Sequence, residues 1–177
     1  FGEHNLLGHG HALYEELIRV PLIIKFPGMF ARKKVVRQKV SITSIMPTVL
    51  DYIQHPIPDS VQYGGLTEKD VLLAAEMSRD TNWINSYGKR FDLDKKAVYE
   101  GAYKFIWCSS GKHELYDLEK DPVECINLYG QMPELEQTLL SKLHPLLESP
   151  SPAQNVRIPE LDEETRASLK ALGYIQN

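Results

Sequence analysis

The densest apolar stretch of the chain covers residues 20–26, which read VPLIIKF and stop at Pro27-Gly28. β-Branched and apolar residues without regular polar alternation are typical of a strand that is buried on both faces. Pro21 is compatible with a strand because a residue at the beginning of a strand need not donate a ladder hydrogen bond. We therefore predict a central strand at residues 20–26.

Two weaker patterns follow this run. Residues 33–41 alternate loosely and carry several positive charges, which predicts a short edge strand that these charges protect. Ile45, Val49 and Ile53 then recur every four residues, as on the buried face of a helix. Ser44 can cap this helix at its beginning.

The second half of the chain changes to short strand patterns separated by tight turns. The short connections favour antiparallel hairpins over crossovers. An amphipathic helix then begins at Pro133, and Pro145 is expected to kink or end it near His144. A helix that covers one face of a four-stranded antiparallel sheet makes a small α+β unit. The candidate strands are residues 71–77, 96–99, 103–108 and 113–118.

These patterns divide the chain into four parts. Residues 1–57 are expected to form the end of an α/β domain, and residues 58–68 a linker rich in proline and glycine. Residues 69–149 form the α+β unit. Residues 150–177 form a tail in which Asp162 caps a short terminal helix.

Composition narrows the class of protein without identifying an activity. With 42% hydrophobic and 25% charged residues among 177, the chain is ordinary for a globular protein. A net charge of −4 and the lack of a basic stripe argue against nucleic acid as a partner. No run of about 18 apolar residues occurs, so no membrane span is predicted. Cys108 and Cys125 are expected to be buried free thiols, with a disulfide between them as the alternative.

The candidate chemistry lies at the beginning of the chain. His4, His9 and His11 fall within eleven residues that also contain three glycines. Loops of this kind at the edge of an α/β sheet often carry site residues. His4 is expected to anchor the loop together with Glu3. Glu15 and Arg19 are expected to form an ion pair, because residues four apart are neighbours on a helix.

This beginning resembles the sulfatase family of the alkaline-phosphatase-like superfamily. The family's Gly-Glu-His loop, Tyr-Glu-Glu turn and Arg-Val-Pro-Leu-Ile segment are matched at residues 2–4, 14–16 and 19–23. Residues 44–51 are similar to its Asp-Ile-x-Pro-Thr-Leu-Leu-Asp helix, with Ser in place of the first Asp. Residues 114–128 resemble its Glu-Leu-Tyr-Asp-Leu…Asp-Pro-x-Glu-x-x-Asn-Leu signature. The resemblance implies an α/β fold: the C-terminal part of an alkaline-phosphatase-like sulfatase, with a small α+β subdomain.

The resemblance also implies an activity. Sulfatases hydrolyse sulfate esters with a divalent metal, expected here to be Ca²⁺, and with a formylglycine made from a Cys/Ser-x-Pro-x-Arg motif. Neither Cys108 nor Cys125 stands in such a motif. The nucleophile and the metal ligands are therefore expected upstream of this chain, in a missing N-terminal part of the same protein. The chain alone is expected to be inactive and to supply no metal ligand.

The same resemblance makes His9 the main candidate for catalysis and substrate binding, and His11 the second candidate for substrate binding. Many sulfatases place a Lys or His four or five residues before the Tyr of their Tyr-Glu motif. There the side chain contacts the sulfate or protonates the leaving oxygen. A histidine suits this role because its pKa lies near neutrality. The alternative is a histidine that is hydrogen-bonded within a Gly-rich loop.

Two other functions remain open at this point. One is a phosphodiester or phosphonate hydrolase, or a phosphoglycerol transferase, of the same superfamily. The other is a non-catalytic fragment used for binding or assembly. For a sulfatase, the resemblance implies a sulfated small molecule or glycan as substrate and a periplasmic, secreted or lysosomal location.

Overall fold

The computed structural model describes residues 2–6, 10–26, 35–59, 61, 64–66, 74–77, 84–86, 88–148 and 162–171. Its strands are β1 (Ala74–Met77), β2 (Lys95–Glu100), β3 (Tyr103–Cys108) and β4 (Glu114–Asp117). Its helices are α1 (Glu15–Ile18), α2 (Ile45–Tyr52), α3 (Pro133–Glu148) and α4 (Glu163–Ala171), with short 3₁₀ turns at Glu3–Asn5, Ile42–Ser44 and Lys89–Phe91.

The strands form one antiparallel sheet in the order β1-β2-β3-β4. Glu100 pairs with Tyr103, so only two residues connect β2 to β3. The first of them, Gly101, has a φ of +57°, which glycine adopts without the steric cost of a Cβ. The predicted antiparallel hairpins are confirmed, and the fold class of helices combined with an antiparallel sheet is confirmed with them.

Helix α3 covers one face of the sheet. Its Leu139 and Leu143 are fully buried against Val98, Phe105 and Leu115. The helix continues through Pro145 to Glu148, so the alternative in which Pro145 ends it near His144 is wrong. Pro145 lies in the last turn, so the hydrogen bond that its missing N–H cannot make is lost close to the end of the helix.

The chain's beginning covers the other face of the sheet. Leu13 packs with Ala97, Ile106 and Tyr116, and Tyr14 and Ile18 extend the contact. This explains why three successive residues of each central strand are buried instead of alternate ones. A single covering helix was predicted, but the sheet is the middle layer of three.

Residues 20–26 do not form the predicted central strand. They belong to no regular element, no described strand pairs with them, and Ile23 is 93% exposed. An extended segment becomes a strand only through hydrogen bonds to a neighbouring strand. The described part of the predicted edge strand, residues 35–41, likewise lacks strand pairing.

Helix α2 forms where its pattern predicted, but a different side is buried. Ser44 and Pro47 are buried, whereas Val49 and Ile53 are exposed. The buried side faces Leu66, whose N–H donates to the hydroxyl of Thr48 at 2.8 Å. The prediction of a buried Ile45–Val49–Ile53 face is therefore wrong within this chain.

Three smaller predictions have mixed outcomes. Both cysteines are free, as expected, but only Cys108 is buried and Cys125 is exposed. Asp162 caps α4 as predicted, and its carboxylate accepts the N–H of Thr165 at 2.7 Å. Among the residues described, no helix is long and apolar enough to cross a membrane.

Candidate functional site

The predicted site residues lie in the N-terminal segment, defined here as residues 2–6 and 10–19. His9 is outside the described residues. His11 is buried, and its ring meets the ring of Phe91 edge-on, with 5.6 Å between centroids. Ala12 and Leu13 are buried beside it. Residues 11–13 are therefore part of the protein interior, and the His11 ring packs against Phe91.

His4 anchors the segment through Glu16 and Glu124. Its Nδ1 lies 2.7 Å from a carboxylate oxygen of Glu16, and its Nε2 lies 3.0 Å from the backbone oxygen of Glu124. Its ring stacks on Tyr14 at 3.7 Å. Both polar partners are acceptors, so the protonated imidazolium satisfies both of them. Partial burial opposes that charge, but these two contacts outweigh it and raise the pKa of His4.

The centre of the contact between this segment and the sheet is a buried charge cluster formed by Glu15, Lys104 and Glu124. The side chains of Lys104 and Glu124 are 0% exposed, and their charged atoms lie 2.8 Å apart. Lys104 also lies 3.1 Å from the carboxylate of Glu15. That carboxylate accepts the hydroxyl hydrogen of Tyr99 at 2.6 Å. Glu15 therefore does not depend on the predicted partner Arg19.

The two carboxylates of the cluster have opposite pKa shifts. Burial raises the pKa of Glu124, and the contacts with Lys104 and the Glu15 N–H only partly offset this. Burial also opposes ionisation of Glu15, but the Tyr99 hydroxyl and Lys104 outweigh it and lower the pKa of Glu15. Burial and the Glu15 carboxylate raise the pKa of Tyr99. Buried charges are costly unless they are paired, so the cluster is stable only when complete.

A second polar cluster joins the segment to β2 and β4. Glu114 accepts hydrogen bonds from the hydroxyls of Tyr14 at 2.8 Å and Tyr116 at 2.7 Å. Lys95 donates to its other oxygen at 3.1 Å. Burial opposes ionisation of Glu114, but Lys95 and the two hydroxyls outweigh it and lower its pKa. Tyr14 thus contributes both packing and a specific hydrogen bond.

Acidic and amide side chains among residues 114–128 have structural roles. Asp117 accepts the N–H groups of Glu119 and Lys120, and Asp121 accepts the N–H of Ile126 at 2.7 Å. The side-chain oxygen of Asn127 accepts the N–H of Leu115 at 3.0 Å. The acidic and amide positions of this signature therefore close turns and join elements. The Glu124 contacts were missed because their partners lie 20 or more residues away in sequence.

The described residues hold no group of three or more His, Cys, Asp or Glu side chains that could bind a metal ion. The carboxylates of the two clusters are occupied by lysines, hydroxyls and a backbone N–H. Chemically, this arrangement can fix the N-terminal segment on the sheet. It presents no activated nucleophile among the side chains described.

A second candidate surface is apolar. We call it the apolar face; it consists of the exposed large hydrophobic residues between positions 20 and 57. Isolated exposed apolar residues are ordinary, but a contiguous stretch of sequence that exposes this many indicates an interaction surface. Its members are Val20, Leu22, Ile23, Ile24, Val35, Val36, Val40, Ile42, Met46, Val49, Ile53 and Ile57.

Comparison with known proteins identifies relatives for most of the chain. A family model described as N-sulphoglucosamine sulphohydrolase, C-terminal, matches residues 2–150. An arylsulfatase of Clostridium perfringens is 35% identical over 131 residues, which are 72% of this chain and 26% of that protein. Arylsulfatase K of Bos taurus is 28% identical over 154 residues, which cover 82% of this chain and 28% of that protein.

A solved structure shows the same fold. It is described as a 2-O GAG sulfatase and matches with a TM-score of 0.50 at 16% identity, covering 70% of this chain and 28% of that chain. This chain therefore spans between a quarter and a third of the length of the relatives that it matches.

Proposed function

Starting from the fact that this chain belongs to the N-sulphoglucosamine sulphohydrolase C-terminal family of sulfatases, we propose that the intact protein is a sulfuric ester hydrolase. The observation that carries this proposal is the 35% identity to an arylsulfatase over 131 residues. The chain supplies the C-terminal portion of that enzyme. Its substrate is a sulfated small molecule or glycan.

We place the nucleophile, a formylglycine, and the Ca²⁺ ligands in the part of the intact protein that is not in this chain. The described residues hold no group of three or more side chains that could bind a metal ion, and the carboxylates of Glu15 and Glu124 are paired with Lys104. Ca²⁺ would supply positive charge against the sulfate oxygens in a metal-assisted hydrolysis. This chain's own contribution is to hold the N-terminal segment and its histidines in position.

The apolar face is the surface on which we expect the rest of the intact protein to pack. Residues 20–26 have the composition of a buried strand, but no described strand pairs with them. A neighbouring strand from the remaining part of the protein would complete the hydrogen bonds and cover Ile23. The missing N-terminal part is thus an intramolecular partner of this chain.

Within that enzyme, we propose that His9 contacts the sulfate or donates a proton to the departing oxygen, with His11 as a second substrate-binding candidate. His11 is the weaker candidate, because its ring is buried against Phe91. Proton transfer by a positioned side chain contributes about 10²- to 10⁴-fold to a rate. The intact enzyme with His9→Ala should therefore lose roughly 10²-fold or more in kcat with 4-nitrophenyl sulfate.

A matched control is His144→Ala, because His144 lies exposed on α3, far in sequence from the N-terminal segment. This variant should retain wild-type kcat. Unfolding temperatures of both variants, measured alongside, separate catalysis from stability. Unchanged turnover in His9→Ala would remove His9 from the mechanism, and an intact wild-type protein that hydrolyses no sulfate ester would contradict the enzyme assignment itself.

A further inference from the structure

Glu124 lies in the turn after β4 and connects Lys104 of the sheet to the N-terminal segment. Its side chain is fully buried, and one carboxylate oxygen lies 2.8 Å from Lys104 Nζ. The other oxygen accepts the backbone N–H of Glu15 at 2.5 Å. A buried carboxylate of this kind is stable only because both oxygens have partners.

The Glu15 N–H needs this acceptor from outside its own helix. Helix α1 has four residues, and its N-cap residue Tyr14 makes no side-chain capping bond. A single helical turn has too few internal hydrogen bonds to be stable alone, so packing and capping must hold it. Glu124 provides that cap from a position 109 residues further along the chain.

Glu124 also holds the segment at a second point. Its backbone oxygen lies 3.0 Å from Nε2 of His4. The residue has a φ of +54°, a left-handed backbone conformation that is strained for a non-glycine residue. In this conformation the side chain of Glu124 accepts the N–H of Glu15 while its backbone oxygen contacts His4.

We propose that Glu124 is a positioning residue of the sulfatase reaction, acting through the N-terminal segment that it holds at His4 and Glu15. The expected effect on catalysis rests on the proposed function, namely that the intact protein is a sulfuric ester hydrolase. Residues 4 and 15 enclose the stretch of sequence that contains His9 and His11. A displacement of about 1 Å in a site can cost roughly 10²-fold in rate, so loss of this connection should reach the chemistry.

The charge of Glu124 is required as well as its shape. Glu124→Gln keeps the size of the side chain and one oxygen acceptor, but it leaves Lys104 with the Glu15 carboxylate alone. Glu124→Asp keeps the charge and shortens the reach by one methylene group. If Glu124 positions the segment through a charged contact, Glu124→Asp should retain part of the kcat and of the amide protection that Glu124→Gln loses.

The test uses the intact protein and two measurements on each variant. The first is hydrogen exchange of backbone amides in peptides from residues 2–19, compared with peptides from β3 and β4. The second is kcat and KM with 4-nitrophenyl sulfate. Glu100→Gln is the control, because Glu100 lies on β2 of the same sheet and pairs with Lys142 of α3.

For Glu124→Gln we expect exchange in residues 2–19 to rise about tenfold or more, with exchange in β3 and β4 unchanged. We expect kcat to fall roughly tenfold to 10²-fold, while KM stays within about twofold. Glu124→Asp should fall between the wild type and Gln. Glu100→Gln should match the wild type in both measurements.

Exchange that does not change in residues 2–19, or that rises equally in the sheet, would overturn the positioning role. A kcat that is unchanged despite local loosening would overturn its catalytic consequence. If Glu124→Gln does not fold, Glu124→Asp decides between the same outcomes. If the wild type hydrolyses no sulfate ester, the proposed function fails, and the exchange data still decide whether Glu124 holds the segment.

Discussion

Residues 95–148 and the described residues among 20–59 are both rich in apolar side chains, but the first region buries a core of them and the second exposes most of its large ones. In the first, Val98, Phe105 and Leu139 lie in a closed core between the sheet and α3. In the second, Ile23 and Ile53 face solvent. The apolar side chains of the first region are covered by other elements of this chain. The second region has the composition of a buried element, but its large apolar side chains are mostly left uncovered by the described residues. Apolar composition therefore indicates that a residue will be buried, but not what will bury it.

The largest expected effect is at Ile23, in the intact protein. Ile23→Asp should cost about 5 kcal/mol there, because covering the apolar face would bury an unpaired charge. Ile126→Asp is the control, since Ile126 is 62% exposed and lies outside the apolar face. It should change the free energy of unfolding by about 0.5 kcal/mol or less. Equal effects of the two substitutions in urea denaturation would show that the face is not covered.

A smaller effect distinguishes two adjacent leucines of α3, one in the closed core and one exposed. Leu139 is 0% exposed and Leu140 is 40% exposed on the same helix. Leu139→Ala should lower the free energy of unfolding by about 3 kcal/mol through lost burial and the cavity it leaves. Leu140→Ala should lower it by about 1 kcal/mol or less. Similar losses, measured by chemical denaturation, would contradict a core closed by α3.

The smallest expected effect is a pH dependence at His4. Its pKa is raised in the folded protein, so the stability it contributes is fully present below the ordinary histidine pKa of about 6.5 and is lost as pH rises through the raised value. The wild type should therefore exceed His4→Gln in unfolding temperature most at pH 5.5, and this difference should shrink by pH 8.5.

The control for the pH series is His55→Gln, since His55 is exposed and its ring lies 3.0 Å from the backbone oxygen of the neighbouring Pro56. This variant should show no comparable trend. A His4→Gln difference that stays constant across the series would mean that the imidazolium charge has no part in holding the N-terminal segment.

Local patterns were sufficient for much of the fold. The strand at Tyr103–Cys108 and the helix beginning at Pro133 lie where the sequence predicted them. These elements depend on side chains close in sequence and on tight turns such as that at Gly101. The prediction of a strand at residues 20–26 was wrong because a strand also needs hydrogen bonds to a neighbouring strand, and a local pattern does not indicate whether one is present.

The candidate site was less predictable. His9 stays a prediction, and His11 lies in a packed position that no local signal indicated. The roles of Lys104 and Glu124 were not predicted either. A lysine within a strand and a glutamate in a turn ordinarily face solvent, so only their partners from the N-terminal segment explain their burial.

By itself, the sequence determined the family, the hairpins of the sheet and the amphipathic helix, because motifs and periodicity are properties of consecutive residues. Only the tertiary structure decided that the chain's beginning covers the second face of the sheet, and that Glu15, Lys104 and Glu124 meet there. The reason is physical: the pairing of buried charges depends on distances in space between residues about 20 to 109 positions apart.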